Sequence, residues 1–472
     1  MSKSISLLKN VGLLTLSNFG SKILVFLLVP LYTSVLTTEQ YGVYDLLYSF
    51  VQLMFPLLTF NIVDAVTRFA LDRETNKSEV VQLGGMLLLF SGVLLTIGLY
   101  ASSSVGRIMP IDGYRIDVLL LYFSFGGYQL LSQFSRGVDR VSDLAAAGVI
   151  NTASMLVLNI LFLVKFKWGL HGFFIANCIS MAVPTAFLAI RLRAYIFKVS
   201  RFNYRLFCSM LKYATPLLFT TIGWWIINLS NRFVVAGMCG LSESGLYSAA
   251  SKIPAILNMF QVVFVQAWLI SAVKEFDRND SDGFFALTYQ RVNTLMVLIC
   301  SALIGATPLL AKILFANEFF EAWRYVPFSL VFIVLNTMSG VWGGIFSSVK
   351  DSKNIAITST VSSIANVVFS VFLVGLMGTQ GAALASVCAG LIIWLMRGQF
   401  VKLHIKSNFE NRKCILMYLL LLVQAAALIL FDAHIGGYFI SVLIFSVLIL
   451  INSRSLFDIL SIAKRLLYRR EN

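Results

Sequence analysis

Charge is what this 472-residue sequence has least of. Asp, Glu, Lys and Arg supply 12% of it, about half of the roughly 25% found in soluble domains. Hydrophobic residues supply 58%, at a mean hydropathy of +0.84. A water-soluble fold has no means of hiding that much apolar surface. Histidine is scarcer still: His171, His404 and His434 stand far apart near expected helix ends, as interfacial or loop residues rather than ligands or bases. The six cysteines, Cys178, Cys208, Cys239, Cys300, Cys388 and Cys414, form no CxxC pair and have no histidine beside them. They are read as small core residues rather than a metal set, and no cofactor is expected. Long polar loops are missing too. The longest, around Arg191–Tyr213, is basic, and no room remains for a globular catalytic domain on either face.

What is there instead is a series of apolar runs of the length a helix needs to cross a bilayer, about 20 residues. The expected spans are 11–36, 43–66, 82–107, 116–136, 144–166, 170–191, 210–238, 245–272, 287–315, 325–348, 355–376, 380–400, 413–431 and 436–453. Helices are preferred to a membrane β-barrel because Met86–Tyr100 and Ile440–Asn452 are apolar all round, whereas barrel strands alternate. A cleavable leader is not expected, since the run after Met1–Lys9 continues to Leu36 without a small-residue cleavage site.

The formal net charge of +15 raises the question of nucleic-acid binding, and its placement answers it. With the N-terminus inside, 28 of the 37 Lys and Arg residues fall on the inner side, six outside and three within spans. This is the positive-inside pattern, so the charge orients the chain and no nucleic acid is expected. Both termini are then cytoplasmic. The basic, leucine-rich Leu456–Arg470 segment suits either an interfacial helix on an anionic leaflet or a topology anchor.

The two halves share short motifs. Glu39-Gln-Tyr-Gly42-Val-Tyr44 is matched by Glu243-Ser-Gly245-Leu-Tyr247, and Asn159 with Gly169-Leu-His-Gly172 is matched by Asn366 with Gly378-Thr-Gln-Gly381. Six spans separate the copies, an even number, so the repeats are parallel. The expected fold is an all-α polytopic membrane protein of about 14 transmembrane helices. It divides into an N-terminal six-helix bundle (1–200), a C-terminal six-helix bundle (201–405) facing it across a cavity, and two extra helices with a basic tail (406–472).

These motifs, together with Ser17-Asn-Phe-Gly20-Ser-Lys22 and Pro30-Leu-Tyr32, resemble the polysaccharide transporter (Wzx-type flippase) family of the multidrug/oligosaccharidyl-lipid/polysaccharide (MOP) exporter superfamily. The resemblance covers the whole chain. It implies a V-shaped, MATE-like pair of bundles that moves an undecaprenyl-diphosphate-linked oligosaccharide across a bacterial inner membrane by alternating access. It also implies a polysaccharide polymerase and a chain-length regulator as partners, and leaves a coupling ion, H+ or Na+, undetermined.

A charge in the bilayer centre costs at least about 2.5–3.5 kcal/mol and marks a functional site by default. Lys22 lies roughly 17 Å into the first span, near the midplane, while Arg232 and Lys252 lie roughly 9–10 Å below the outer ends of theirs, at 1.5 Å per residue. These three cations are the expected headgroup-binding residues; the competing role is pairing with an acid or snorkelling. Asp45 is either a partner of Lys22 or Arg232 or a solvated helix-start carboxylate. Asp64 and Arg68 are spaced for an i,i+4 pair. Trp224 and Trp225 offer either a sugar-stacking face or core packing. Asn18, Asn61, Gln129, Gln133, Asn228, Gln261 and Gln266 offer sugar contacts or interhelical bonds, and Pro30 and Pro216 interrupt the first span of each repeat.

The leading expectation is a flippase for lipid-linked oligosaccharide. A lipid II flippase is the close alternative, and a multidrug exporter would be expected to carry deeper acids. A membrane polymerase or glycosyltransferase would need a large outer loop or clustered acids.

Overall fold

The computed structural model describes residues 26–101, 110–198, 202–407, 409–432, 434–458 and 461. These are nearly all helical, and no strand occurs among them. In lipid every backbone N–H and C=O must find a partner within the chain, and the helix supplies one at each residue. Among the described residues nine helices are long and apolar enough to cross a membrane, ten if one bent pair counts as a single span. The chain is therefore a multi-pass membrane protein. The first expected span lies largely outside the described residues, and two long helices, Arg115–Gly137 and Tyr204–Cys239, are not among the nine.

The helices divide into two compact units, Met1–Leu229 with Gly240–Gly245 and Ser230–Cys239 with Leu246–Asn472. The first contains α1 (Val29–Val35), α2 (Thr38–Leu58), α3 (Ile62–Leu71), α4 (Lys77–Ala101), α5 (Arg115–Gly137), α6 (Val141–Asn159) and α7 (Gly169–Arg191), followed by the larger part of α8 (Tyr204–Cys239). Helix α2 starts on a capping box, with Thr37 accepting from the Gln40 N–H and Gln40 answering the Thr37 N–H. The expected span 43–66 is not one straight helix. Pro56 lies inside α2, and Phe60 and Asn61 adopt left-handed φ of 49° and 55°, so α3 leaves at 58° to α2. This break takes the Asn61 amide to Asp64 at 2.7 Å, and the expected Asp64–Arg68 pair does not form. Pro30 begins α1, after a break at Leu28, while Pro216 sits inside an unbroken α8.

The Glu39-x-x-Gly42 and Glu243-x-Gly245 motifs meet in this unit. A Cβ on Gly42 would fall 2.9 Å from the Gly245 nitrogen and closer still to the Leu241 carbonyl oxygen, and one on Gly245 would strike the Thr38 carbonyl. Glycine is required by backbone-to-backbone approach here, since φ is not positive at either position. The contact maps onto itself: residues 38 and 42 correspond to 241 and 245, and the Thr38 and Ser242 hydroxyls share a hydrogen bond of 2.7 Å.

The second unit contains the end of α8, the second half of α9 (Leu241–Ala250), then α10 (Pro254–Lys274), α11 (Phe284–Leu314), α12 (Val326–Ser348), α13 (Ser352–Met377), α14 (Thr379–Phe400), α15 (Asn411–Leu430) and α16 (Ile435–Ile451). The expected span 245–272 is broken at Ser251–Ile253. Helices α15 and α16 pack on α11 through buried polar bonds: Ser301 Oγ donates to Gln424 Oε1 (2.7 Å), Tyr418 to Asn293 Oδ1 (2.7 Å) and Thr294 to Asn452 Oδ1 (3.0 Å). Such bonds substitute for the hydrophobic drive that lipid removes. In the second repeat motif, Gly169 and Gly378 both take left-handed φ, 57° and 62°, which only glycine adopts without strain.

Candidate functional site

Lys22 and Asn18 lie outside the described residues. Of the rest, Asp45, Trp224, Trp225 and Asn228 belong to the first unit, Arg232 and Lys252 to the second.

Asp45 is 5% exposed, so the solvated alternative does not hold; it sits on α2 among Tyr41, Tyr44 and Tyr48. Trp225 is half-buried and donates from Nε1 to the Ser49 carbonyl at 3.0 Å, tying α8 to α2. Trp224, one residue before it, is 59% exposed, which removes core packing as its role. Thr220, Trp224 and Asn228, spaced four apart, form one exposed face of α8. Thr220 returns its hydroxyl to the Leu217 carbonyl and Asn228 its amide to the Trp224 carbonyl. An exposed amide at this depth suits water better than hydrocarbon.

In the second unit Arg232 is half-buried near the end of α8. Lys252 sits in the turn that breaks α9 from α10, half-buried. Unwound backbone at membrane depth is tolerated where it lines a cavity or is covered by protein. Helix α10 also exposes Asn258 and Gln266.

Two buried polar constellations escaped the sequence. The first centres on Asn231, whose amide donates to the Ala382 carbonyl (3.0 Å), Ser386 Oγ (2.8 Å) and Tyr247 (3.2 Å). Asn366 donates to Asn231 Oδ1 at 3.1 Å. The side-chain oxygens (Oδ1) of Asn366 and of its repeat counterpart Asn159 are buried with no hydrogen-bond partner among the described residues. The repeat drew attention to both asparagines, but only as markers of a turn.

The second is Arg397, read from the sequence as one of the inner-face cations. It is 8% exposed. Its Nε donates to Thr358 Oγ1 (3.1 Å), one terminal nitrogen to the Ser339 carbonyl (3.0 Å) and the other to Ser359 Oγ (2.9 Å). One guanidinium thus ties α12, α13 and α14 through neutral acceptors. Nearby, Trp394 Nε1 donates to the Tyr289 hydroxyl (3.0 Å), and Trp342 stacks on both rings.

Two of the three histidines end up paired with a carboxylate. His404 meets Asp351 at 2.8 Å, and His171 meets Asp117 at 3.3 Å. Hydrogen bonds from the Asn354 N–H first, then from its amide and from His404, hold the Asp351 carboxyl below its ordinary range. Cys178, Cys300 and Cys414 are buried as expected, while Cys208 is exposed. Among the described residues no three His, Cys, Asp or Glu side chains are grouped to hold a metal ion.

Compared with known proteins, residues 7–270 match the family described as polysaccharide biosynthesis protein. No curated protein matches. Among solved structures, the lipid II flippase MurJ in an inward closed conformation is similar at 17% identity and a TM-score of 0.68, over 94% of this chain and 98% of that one. An inward-facing multidrug resistance MATE family transporter of the MOP superfamily is similar at 17% identity and a TM-score of 0.64, over 81% and 94%. At these identities the likeness is one of fold.

Proposed function

We propose, from the premise that this chain belongs to the polysaccharide biosynthesis protein family, that it is a flippase for an undecaprenyl-diphosphate-linked oligosaccharide, an O-antigen or other surface polysaccharide repeat unit. The observation that carries the reading is the combination of that family with a fold shared with a lipid II flippase. Moving a lipid-linked saccharide changes no bond, so no catalytic set is required and the chain is assigned no enzymatic activity or cofactor. The protein would sit in the bacterial inner membrane with both termini cytoplasmic, as the positive-inside count favours, and hand its cargo to a polysaccharide polymerase and chain-length regulator.

Lys22, Arg232 and Lys252 are proposed to hold the diphosphate, Arg through paired hydrogen bonds and Lys as a compact charge. The exposed Trp224 and Asn228 are proposed to meet sugar, the indole by stacking and the amide by hydrogen bonds. Translocation is by alternating access, with H+ or Na+ as the candidate coupling ion.

Deleting the chain tests this. Cells should keep assembling the lipid-linked oligosaccharide and lose the surface polysaccharide, with rescue by the wild-type chain. Normal surface polysaccharide in the deletion strain overturns the reading. The fold shared with MurJ favours lipid II flipping as a second reading; arrested cell-wall synthesis on depletion, in place of lost surface polysaccharide, would select it.

A further inference from the structure

Within the first unit the basic residues Arg68, Arg136, Arg140 and Arg191 gather at one end of the helices. At the other end, where α4 finishes and α5 and α7 begin, a cavity of about 470 Å3 opens, within the range of about 300–1,000 Å3 typical of small-molecule sites. Tyr100, Asp112, Arg115, Ile116, Asp117 and His171 line it.

These side chains hold one another in place. Arg115 lies over the Tyr100 ring at 4.9 Å and donates to Asp112 at 2.6 Å. Asp117, 9% exposed, is held by His171, whose ring packs on Tyr114 at 5.4 Å between centroids. Among the described residues Arg115 Nε has no acceptor. The cavity therefore combines an aromatic and guanidinium wall, fixed carboxylate acceptors and an unmatched donor. A ligand rich in hydroxyl groups answers all three, because each hydroxyl both donates and accepts.

The charge balance decides between the two polar parts of the proposed cargo. Two carboxylates face one guanidinium, and Glu39 is near enough for its charge to be felt at Tyr114. The carboxylates outnumber the guanidinium, so the site has no surplus of positive charge with which to hold a diphosphate. We infer that this cavity, formed by Tyr100, Arg115, Asp117 and His171, is a peripheral binding site for uncharged sugar units of the cargo, separate from the cationic residues assigned to the diphosphate. It lies at the end opposite the basic one, on the delivery side under the proposed topology. Its identification with the cargo's glycan rests on the flippase reading; sugar binding by the cavity does not.

The experiment uses the full chain in lipid nanodiscs and saturation-transfer NMR. The probes are glucose, galactose, rhamnose, N-acetylglucosamine and N-acetylgalactosamine, with glucuronate as the anionic comparison. At least one neutral sugar should show transfer, with glucuronate at least fivefold weaker. Asp117→Asn and Tyr100→Ala should each cut the neutral-sugar signal at least fivefold, while Ile364→Ala, at a 60% exposed position on α13, leaves it unchanged; monodisperse elution of each variant controls for folding. No transfer from any neutral sugar, glucuronate binding as well as they do, or a signal that survives both cavity substitutions overturns the inference. Surface polysaccharide in the deletion strain is scored separately. Its persistence alongside cavity-dependent sugar binding would remove the flippase reading and leave the site, whereas its loss without sugar binding would remove the site alone.

Discussion

Gly42→Ala places a methyl group where the structure has no room. The new Cβ would lie 2.9 Å from the Gly245 nitrogen, 3.0 Å from the Leu241 carbonyl carbon and closer to its oxygen. All three are backbone atoms inside or next to α9, so no side-chain rotation relieves the contact; α2 and the Gly240–Gly245 segment must separate by roughly an ångström. Overpacking of this kind costs about 1–3 kcal/mol. The separation also breaks the 2.7 Å hydrogen bond between Thr38 and Ser242, worth about 0.6 kcal/mol for a polar pair between membrane helices. The expected loss is about 2–3 kcal/mol. Gly245→Ala strikes the same contact from the other side, so the double variant should cost less than the two singles added. A Thr38→Cys/Ser242→Cys pair in a background without the native cysteines reports the geometry directly. Oxidation should cross-link it efficiently, and Gly42→Ala should reduce the yield several-fold while lowering the thermal midpoint. Unchanged cross-linking and an unchanged midpoint in Gly42→Ala would refute the reasoning.

Arg397 yields an ordering. Arg397→Lys keeps the charge buried but cannot span three acceptors, and leaving a buried charge under-partnered costs about 3–5 kcal/mol; Arg397→Met removes the charge and keeps much of the volume. Thermal midpoints should fall more for Lys than for Met, and the reverse order would show that the guanidinium bonds are not what matters. Trp224→Ala should leave the midpoint within error, because the ring is 59% exposed, yet lower surface polysaccharide in cells; a stability loss above about 1 kcal/mol would indicate a packing role instead. For pH, the Asp351 and Asp277 carboxyls are both held below their ordinary range, Asp277 chiefly by the Ser281 hydroxyl. A depressed folded pKa stabilises above the unfolded value, about 3.9, and that stabilisation is lost as pH falls through the folded one. The contribution of these groups is thus fully present and constant between pH 8 and 5, and the midpoint should fall below about pH 4; Asp351→Asn should flatten the acid limb, as thermal scans across pH would show.

Much of the helical layout was legible in one dimension, because apolar run length sets the number of residues needed to cross a bilayer and needs no partner to be read. The breaks were less so. Pro56 was visible, but the left-handed pair Phe60–Asn61 is held by a local contact to Asp64 that no hydropathy window reports. At the candidate site the sequence located buried-depth charges and aromatics but not which way they face. Trp224 and Trp225 are adjacent and chemically identical, and only the helix rotation set by the Trp225–Ser49 bond separates an exposed ring from an anchored one.

By itself, then, the sequence determined that this is a multi-pass helical membrane protein, and the spacing of its glycine motifs pointed to a repeat that the left-handed Gly169 and Gly378 and the Gly42–Gly245 contact embody. Those properties depend on residue type and local spacing. Tertiary structure decided that Arg397 is a buried clamp, that Asn231 gathers Ala382 and Ser386, and that Tyr100, Arg115, Asp117 and His171 share one cavity. Their partners lie from 15 to 155 positions away along the chain. Which of the many polar residues on transmembrane helices meet is set by helix rotation and packing, which one-dimensional spacing does not encode.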